Sequence, residues 1–349
     1  MPASAGMTKG DAGSMKINSW TVTLAALIIA STFSASADPV KLRVGWVSGS
    51  SDVPLVTIGP KEVLRHDGKS YVVEMTHFQG SPPQITAMAA NEIDFVGFGF
   101  SALPTAVFNA HMTDLRIIAD MFQDGAPGGY SNEFFVLKDA PIHSVADMKG
   151  HVAVTNSAGS AVDMVLRAIL RKNGLEPNRD FTILEAGFVN MPPMLKEHKV
   201  DLIPGTRLTN GDPAFRAVAR TLFTQKDAVG RAQMAELVAR QGFIEKNRAA
   251  VVDYLEDSLR ELAWFSDPAH HAAAVKIFAD FTKIPAAQFD PWLFVKGEDY
   301  YKDAKGTPDL DALQANVDTM RALGFTKETL EVKNYADLSL VKEAAARLE

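Results

Sequence analysis

The chain has 349 residues, a net charge of −7 from 35 Lys and Arg against 42 Asp and Glu, and no cysteine. Without cysteine there is no disulfide, no thiolate metal site and no lipid carried on a processed cysteine. The acidic balance argues against nucleic acid and anionic membranes as partners, and the length suits two domains of ordinary size.

Lys9 and Lys16 precede an apolar run from Val22 to Ala30, and Ala35-Ser36-Ala37 stands immediately before Asp38. Basic start, apolar centre and small-residue cleavage pattern together read as a secretory signal. The run is shorter than the roughly 20 residues a spanning helix needs. The expectation is therefore a cleaved signal over residues 1–37, with Met1 or Met15 as initiator, and a periplasmic chain starting at Asp38. That chain has 33 basic and 41 acidic residues, a charge of −8.

From Lys41 onward short apolar runs alternate with helical segments, the rhythm of an α/β fold. Strands are predicted over 42–47 and 71–76. A helix follows from Ser81, expected as its cap, through Pro82 to about Asn91. A strand over 93–97, a helix opened by Ser101 and Pro104, and a strand over 115–119 complete the first series. The Gly- and Pro-rich stretch from Asp124 to Gly129 marks a crossover. A second series starts with Glu133 to Leu137 and continues with a strand over 151–154. It adds a helix from Ala161 to Asn173 closed by Gly174, a strand over 181–184, a helix from Met191 to His198 and a strand over 200–203. Glu236 to Ala239 reads as a strand returning to the first series. Beyond Glu245 the chain reads as almost continuous helix, with Val251, Tyr254, Leu255, Leu259, Leu262 and Phe265 as a core stripe. The resulting division is one lobe from 38–128 with 233–349 and a second from 129–232.

Three predicted helix starts follow strands and carry small hydroxyl residues: Ser81, Ser101 and the turn Asn156-Ser157-Ala158-Gly159-Ser160. Unpaired N–H groups at such starts attract sulfonate, carboxylate or phosphate. In open α/β sheets they converge where ligands bind, at the carboxyl ends of strands. The loop Ser48-Gly49-Ser50-Ser51 is a fourth polar element of that rim, as a ligand wrap or as a simple turn. Phe78, Phe100 and Trp46 can stack on a ligand body or fill the core. Arg207 follows a strand end, where a guanidinium can grip an oxyanion or stand in solvent. No catalytic residue and no metal or cofactor site is assigned. The eight histidines lack His-Glu-x-x-His spacing, and no nucleophile elbow, phosphate loop or complete dinucleotide fingerprint occurs.

Four segments then resemble a known family: Leu42 to Trp46, Phe78-Gln79-Gly80-Ser81-Pro82-Pro83, Met88 to Phe95, and Ala140 to Gly150 with its Ser-Val-Ala-Asp-Met-Lys-Gly stretch. They are similar to periplasmic solute-binding proteins of ABC importers for sulfonates, taurine, nitrate and pyrimidine precursors. The resemblance implies a type II Venus-flytrap fold and a monomer that closes on one small organic anion, sulfonate or aromatic carboxylate, and docks on a membrane permease. It carries Ser48 to Ser51, Gly80, Ser81, Phe100, Ser101 and the Asn156 to Ser160 turn over as pocket elements. Where relatives often carry a tryptophan-rich strand end, this chain has Pro204-Gly205-Thr206-Arg207. The alternatives are an enzyme on the same fold acting on a pyrimidine or aromatic acid, and a binding component that feeds a sensor.

Overall fold

Apolar residues alternating with polar ones set the first layer: in β1 (Val40–Trp46) Leu42 and Val44 are fully buried. The computed structural model describes residues 38–48, 51–52 and 55–348; the expected signal segment, Gly49 and Ser50 lie outside the described residues. β2 (Tyr71–His77) pairs parallel with β1, from Val40↔Tyr71 to Trp46↔His77. Next come α1 (Ser81–Ala89), β3 (Phe95–Gly99), α2 (Ala102–Asn109) and β4 (Leu115–Asp124). The middle of the chain builds β5 (Glu133–Leu137), β6 (Val152–Thr155), α3 (Ala161–Lys172), β7 (Thr182–Glu185), α4 (Met191–Lys196) and β8 (Ile203–Pro204). It continues through α5 (Arg207–Asn210), α6 (Pro213–Val218), β9 (Ala219–Thr224) and α7 (Gln225–Val229). β10 (Ala232–Arg240) leads into α8 (Gln241–Ser266), α9 (His271–Thr282), α10 (Leu310–Ala322) and α11 (Ser339–Ala346).

The strands form two separate layers. The first sheet has the order β2-β1-β3-β10-β4, with β10 antiparallel to both neighbours. The second layer holds β8-β5-β9 and the parallel pair β6-β7. Its two parts are tied by Val154 N–H donating to Leu202 O at 3.0 Å and Leu202 N–H donating to Val152 O at 3.2 Å. The chain crosses to the second layer between β4 and β5 and returns between β9 and β10.

Helix α8 packs the predicted stripe inward, and Val251, Tyr254 and Phe265 are essentially inaccessible. It also carries acids that hold the segment after β1. Asp257 accepts the amides of Arg65 and His66 and the hydroxyl of Tyr71, while Glu261 accepts those of Ile58 and Gly59. Buried carboxylates paired to backbone donors in this way satisfy a loop that has no ladder of its own.

Three expectations need correction, and one strand, β9, was not predicted. β4 runs to Asp124 rather than stopping near Ala119, because β10 bonds along its whole length. β9 has no clear apolar alternation and is formed by its pairing with β5. The strand expected over 200–203 shrinks to Ile203–Pro204. The chain between α9 and α10 is not α-helical: Lys283 adopts left-handed φ of 61° and Pro285, Pro291 and Pro308 follow. That segment straps the open edge of β4 instead. Asp120 N–H donates to Gly306 O and Gln123 N–H to Tyr301 O, each at 2.8 Å, which covers an edge otherwise open to pairing.

Candidate ligand-binding site

A cavity of about 100 Å³ lies where the two layers meet, walled from both. The first-layer side contributes Val47, Ser48, Ser51 and Asp52 after β1, Gly80 and Ser81 at α1, Gly99 of β3, Phe122 of β4 and Met234 of β10. The second-layer side contributes Asn132, Phe134, Asn156, Ser160 to Val162, Phe188, Pro204 to Thr206 and Gln225, and the strap adds Tyr300. No Lys, Arg or His is among the described lining residues, and Asp52 is the one carboxylate there.

The two helix starts at the cavity differ in what they offer. Ser160 caps α3, accepting Asp163 N–H at 3.2 Å and donating its hydroxyl to Asn156 Oδ1 at 2.8 Å. The amides of Ala161 and Val162 therefore remain as first-turn donors without an intrahelical partner, at the positive end of a twelve-residue helix. Asp163 is ion-paired to Arg167 at 2.8 Å, which offsets its charge near that end. At α1 the cap position belongs to Gly80, not to Ser81 as expected. Ser81 is already helical and its hydroxyl accepts Gly99 N–H at 3.0 Å. Pro82 and Pro83 have no N–H, so Ser81 alone among the first three helical residues can donate from the backbone.

The loop after β1 forms wall, but its described amides turn inward. Val47 and Ser48 N–H donate to Asp52 Oδ2 at 2.7 and 3.0 Å, the Ser51 hydroxyl to Asp52 Oδ1 at 3.0 Å, and the amides of Ser51 and Asp52 to Ser48 O. Burial pushes the Asp52 carboxyl above its usual range, and these donors act the other way.

Of the residues singled out in the sequence, Ser48, Ser51, Gly80, Ser81, Asn156 and Ser160 line the cavity. Phe78, Phe100, Ser101, Ser157 and Arg207 are not among its described lining residues. Phe100 is core and Phe78 packs beside Gly45. Trp46 meets His77 and Phe281. Ser101 donates its hydroxyl to Gly159 O at 2.9 Å, and Asn156 Nδ2 donates to Gln79 O at 2.8 Å. Both are bonds between first-layer and second-layer elements. Arg207 is neither solvated nor in the cavity: its guanidinium donates to Glu298, with Nη2 at 3.0 Å from Oε2, and stacks on Tyr130 and Trp292.

The sequence reading missed Asn132, Gln225, Tyr300, Thr206 and the apolar wall of Phe122, Phe134, Phe188 and Met234. One local signal was present: the Thr224-Gln225-Lys226-Asp227 capping box marks the start of α7. Away from the cavity, His66, Asp253 and Glu256 bring metal-type donors together. Arg347 and Arg260 ion-pair the same two carboxylates at 2.8 and 2.7 Å, so that charge is already balanced.

The model of the NMT1-like family matches residues 35–279, well over half of the chain. The chain belongs to the NMT1-like family. A candidate aliphatic sulfonates-binding protein of Escherichia coli K12 is 27% identical over 157 residues, 44% of this chain and 46% of that protein. The chain thus spans about half the length of that curated relative. The alkanesulfonate-binding protein SsuA of Xanthomonas axonopodis pv. citri, solved with MOPS, superposes with a TM-score of 0.67 at 19% identity, covering 87% of this chain and all of that one. This NMT1-like chain therefore has the two-lobed α/β fold of periplasmic binding proteins. The desulfurization enzyme DSZB shares the fold, with a TM-score of 0.62 at 13% identity over 89% of this chain and all of that one.

Proposed function

We propose that this NMT1-like protein is the periplasmic substrate-binding component of an ABC importer, capturing a small organic anion, a sulfonate or an aromatic carboxylate, and delivering it to a membrane permease. The observation that carries the reading is the start of α3: Ala161 and Val162, whose amides have no intrahelical partner, line a cavity walled from both layers. An oxyanion there takes charge-assisted N–H bonds, which are stronger than bonds between neutral groups. Phe122, Phe134 and Phe188 form a wall for an apolar or aromatic body. The sulfonate ligands named for its relatives fit this division into acid head and apolar body.

The mechanism needs no covalent step. We read residues 38–128 with 233–349 as one lobe, 129–232 as the other, and 1–37 as the export signal. A ligand bonded to both lobes favours the closed arrangement, and the permease distinguishes closed from open. The bonds Ser101 to Gly159 and Asn156 to Gln79 close the same seam from protein alone.

An enzyme is the second reading, favoured by the fold shared with DSZB and by the Ser51 hydroxyl bonded to Asp52 in the cavity wall. A thermal-shift screen against 4-methylbenzenesulfonate, methanesulfonate, benzoate and nitrate separates the two. At 100 times its dissociation constant a ligand stabilises the fold by about 2.7 kcal/mol. A shift with one acid and an unchanged mass of that acid after incubation supports capture. Conversion of the acid supports the enzyme, and no shift with any of the four contradicts the anion reading.

A further inference from the structure

The cavity lining also holds a buried polar triad distinct from the α3 start. Gln225, at the start of α7, is fully buried, and Asn132 and Tyr300 are more than nine-tenths buried; all three line the cavity. Tyr300 donates its hydroxyl to Asn132 Oδ1 at 2.5 Å, and Asn132 Nδ2 donates to Gln225 Oε1 at 3.2 Å. Both amide oxygens are thereby engaged inside the triad. The acceptor that Gln225 Nε2 finds is Met234 Sδ at 3.1 Å, and a thioether is a weak acceptor. Each side-chain amide has a further N–H to give. The backbone holds them still: Gln225 N–H donates to Asn132 O at 2.7 Å and Asn132 N–H to Asp124 Oδ2 at 2.8 Å.

Met234 measures the gap between this triad and the α3 start. Its carbonyl and the amide of Ala161 both lie within 4 Å of the Cβ position of Gly99, while its sulfur reaches Gln225. The two sets of donors are thus about one long side chain apart, with Phe122 and Phe134 among the residues walling the cavity. The triad consists of neutral donors with no cationic side chain among the described lining residues, and the Asp124 carboxyl is directly behind it. Lys302 and Arg207 stand near Tyr300 but are paired with Asp299 and Glu298, so a second anionic group there meets cations already compensated and a buried acid, whereas a neutral acceptor meets two N–H donors that lack a strong partner.

We infer that the ligand is a monoanion bearing a neutral hydrogen-bond acceptor, of carbonyl type, at the end opposite its acid group, and that Gln225, Asn132 and Tyr300 select for it. This rests on the anion reading above and names the class of ligand within it. Titration calorimetry with 4-acetylbenzenesulfonate, 4-isopropylbenzenesulfonate and benzene-1,4-disulfonate tests it on the wild-type chain and on Gln225→Met. The wild type is expected to bind the acetyl probe at least tenfold tighter than the isopropyl probe of similar shape, and the disulfonate more weakly than the acetyl probe. In Gln225→Met the preference for acetyl should fall to within about threefold. Equal binding of acetyl and isopropyl probes, tightest binding of the disulfonate, or a preference that survives Gln225→Met overturns the inference and leaves the anion reading standing. Binding of none of the three overturns both. The three-probe comparison on wild type decides the matter even if the variant fails to fold.

Discussion

The two sides of the cavity have opposite chemistry. The first layer has acids: Asp52 lines the cavity, and Asp120 and Asp124 on β4 and Glu236 on β10 lie outside its described lining; all four are buried, and burial raises the pKa of each. The second-layer segment brings neutral donors: the amides of Ala161 and Val162, the side-chain amides of Asn132 and Gln225, and Thr206. The donors proposed to hold the anion thus stand mainly on one side, although Ser81 and Ser160 look alike in sequence. What separates them is local covalent chemistry, two prolines after Ser81 and none after Ser160.

The strongest way to break this contrast is to take a donor from α3. Ala161→Pro deletes one N–H at the first helical position, where proline is tolerated, and Ser160 is already extended at φ −67° and ψ 164° as a residue before proline must be. A charge-assisted bond is worth about 1.5 to 3 kcal/mol, so affinity for 4-methylbenzenesulfonate should fall roughly 10- to 100-fold with helix content unchanged. Unaltered affinity in a folded variant removes α3 from the site.

The acidic side is sharpened by Glu236→Leu. Both carboxyl oxygens of Glu236 are buried without a hydrogen-bond partner, so an apolar replacement should stabilise the fold by about 1 to 3 kcal/mol in denaturant unfolding. A loss of stability shows instead that the carboxyl is satisfied. Asp124 supplies the pH dependence. Its folded pKa is raised to about 7 from an ordinary value of 3.8, so the folded state keeps a proton that the unfolded state releases. Its contribution is present in full below about pH 4 and is lost as pH rises towards 7. Relative to Asp124→Asn, wild-type melting temperature should therefore drop across that window. A constant difference between the two argues against the raised value.

Arg207→Ala should have the smallest effect on binding. The guanidinium is held by Glu298, Tyr130 and Trp292, so the account expects about 1 to 2 kcal/mol of lost stability and an affinity within about threefold of wild type. A tenfold loss of affinity in a folded Arg207→Ala returns the arginine to the site.

What was legible in the sequence was local. The α3 start was readable because its cap, first-turn acid and closing Gly174 all lie within one helix length. The strand that returns to the first sheet was readable from its short apolar run Leu237-Val238-Ala239, which β10 buries between β3 and β4. The rest is set at long range. Asn132 meets Gln225 across 93 positions and Tyr300 across 168, and Arg207 meets Glu298 across 91. Polar residues such as these carry no periodicity, and only the packing of strap, β9 and β5 decides which of them face the cavity. The strap itself was misread because its apolar residues sit among prolines and glycines that end helices.

The most direct test of the central claim is a crystal structure with 4-bromobenzenesulfonate, the bromine located by its anomalous signal. The account predicts sulfonate oxygens about 3 Å from the amides of Ala161 and Val162, with the bromine pointing towards Gln225 and Tyr300. A sulfonate on Arg207, a reversed ring, or bromine outside the cavity would contradict it.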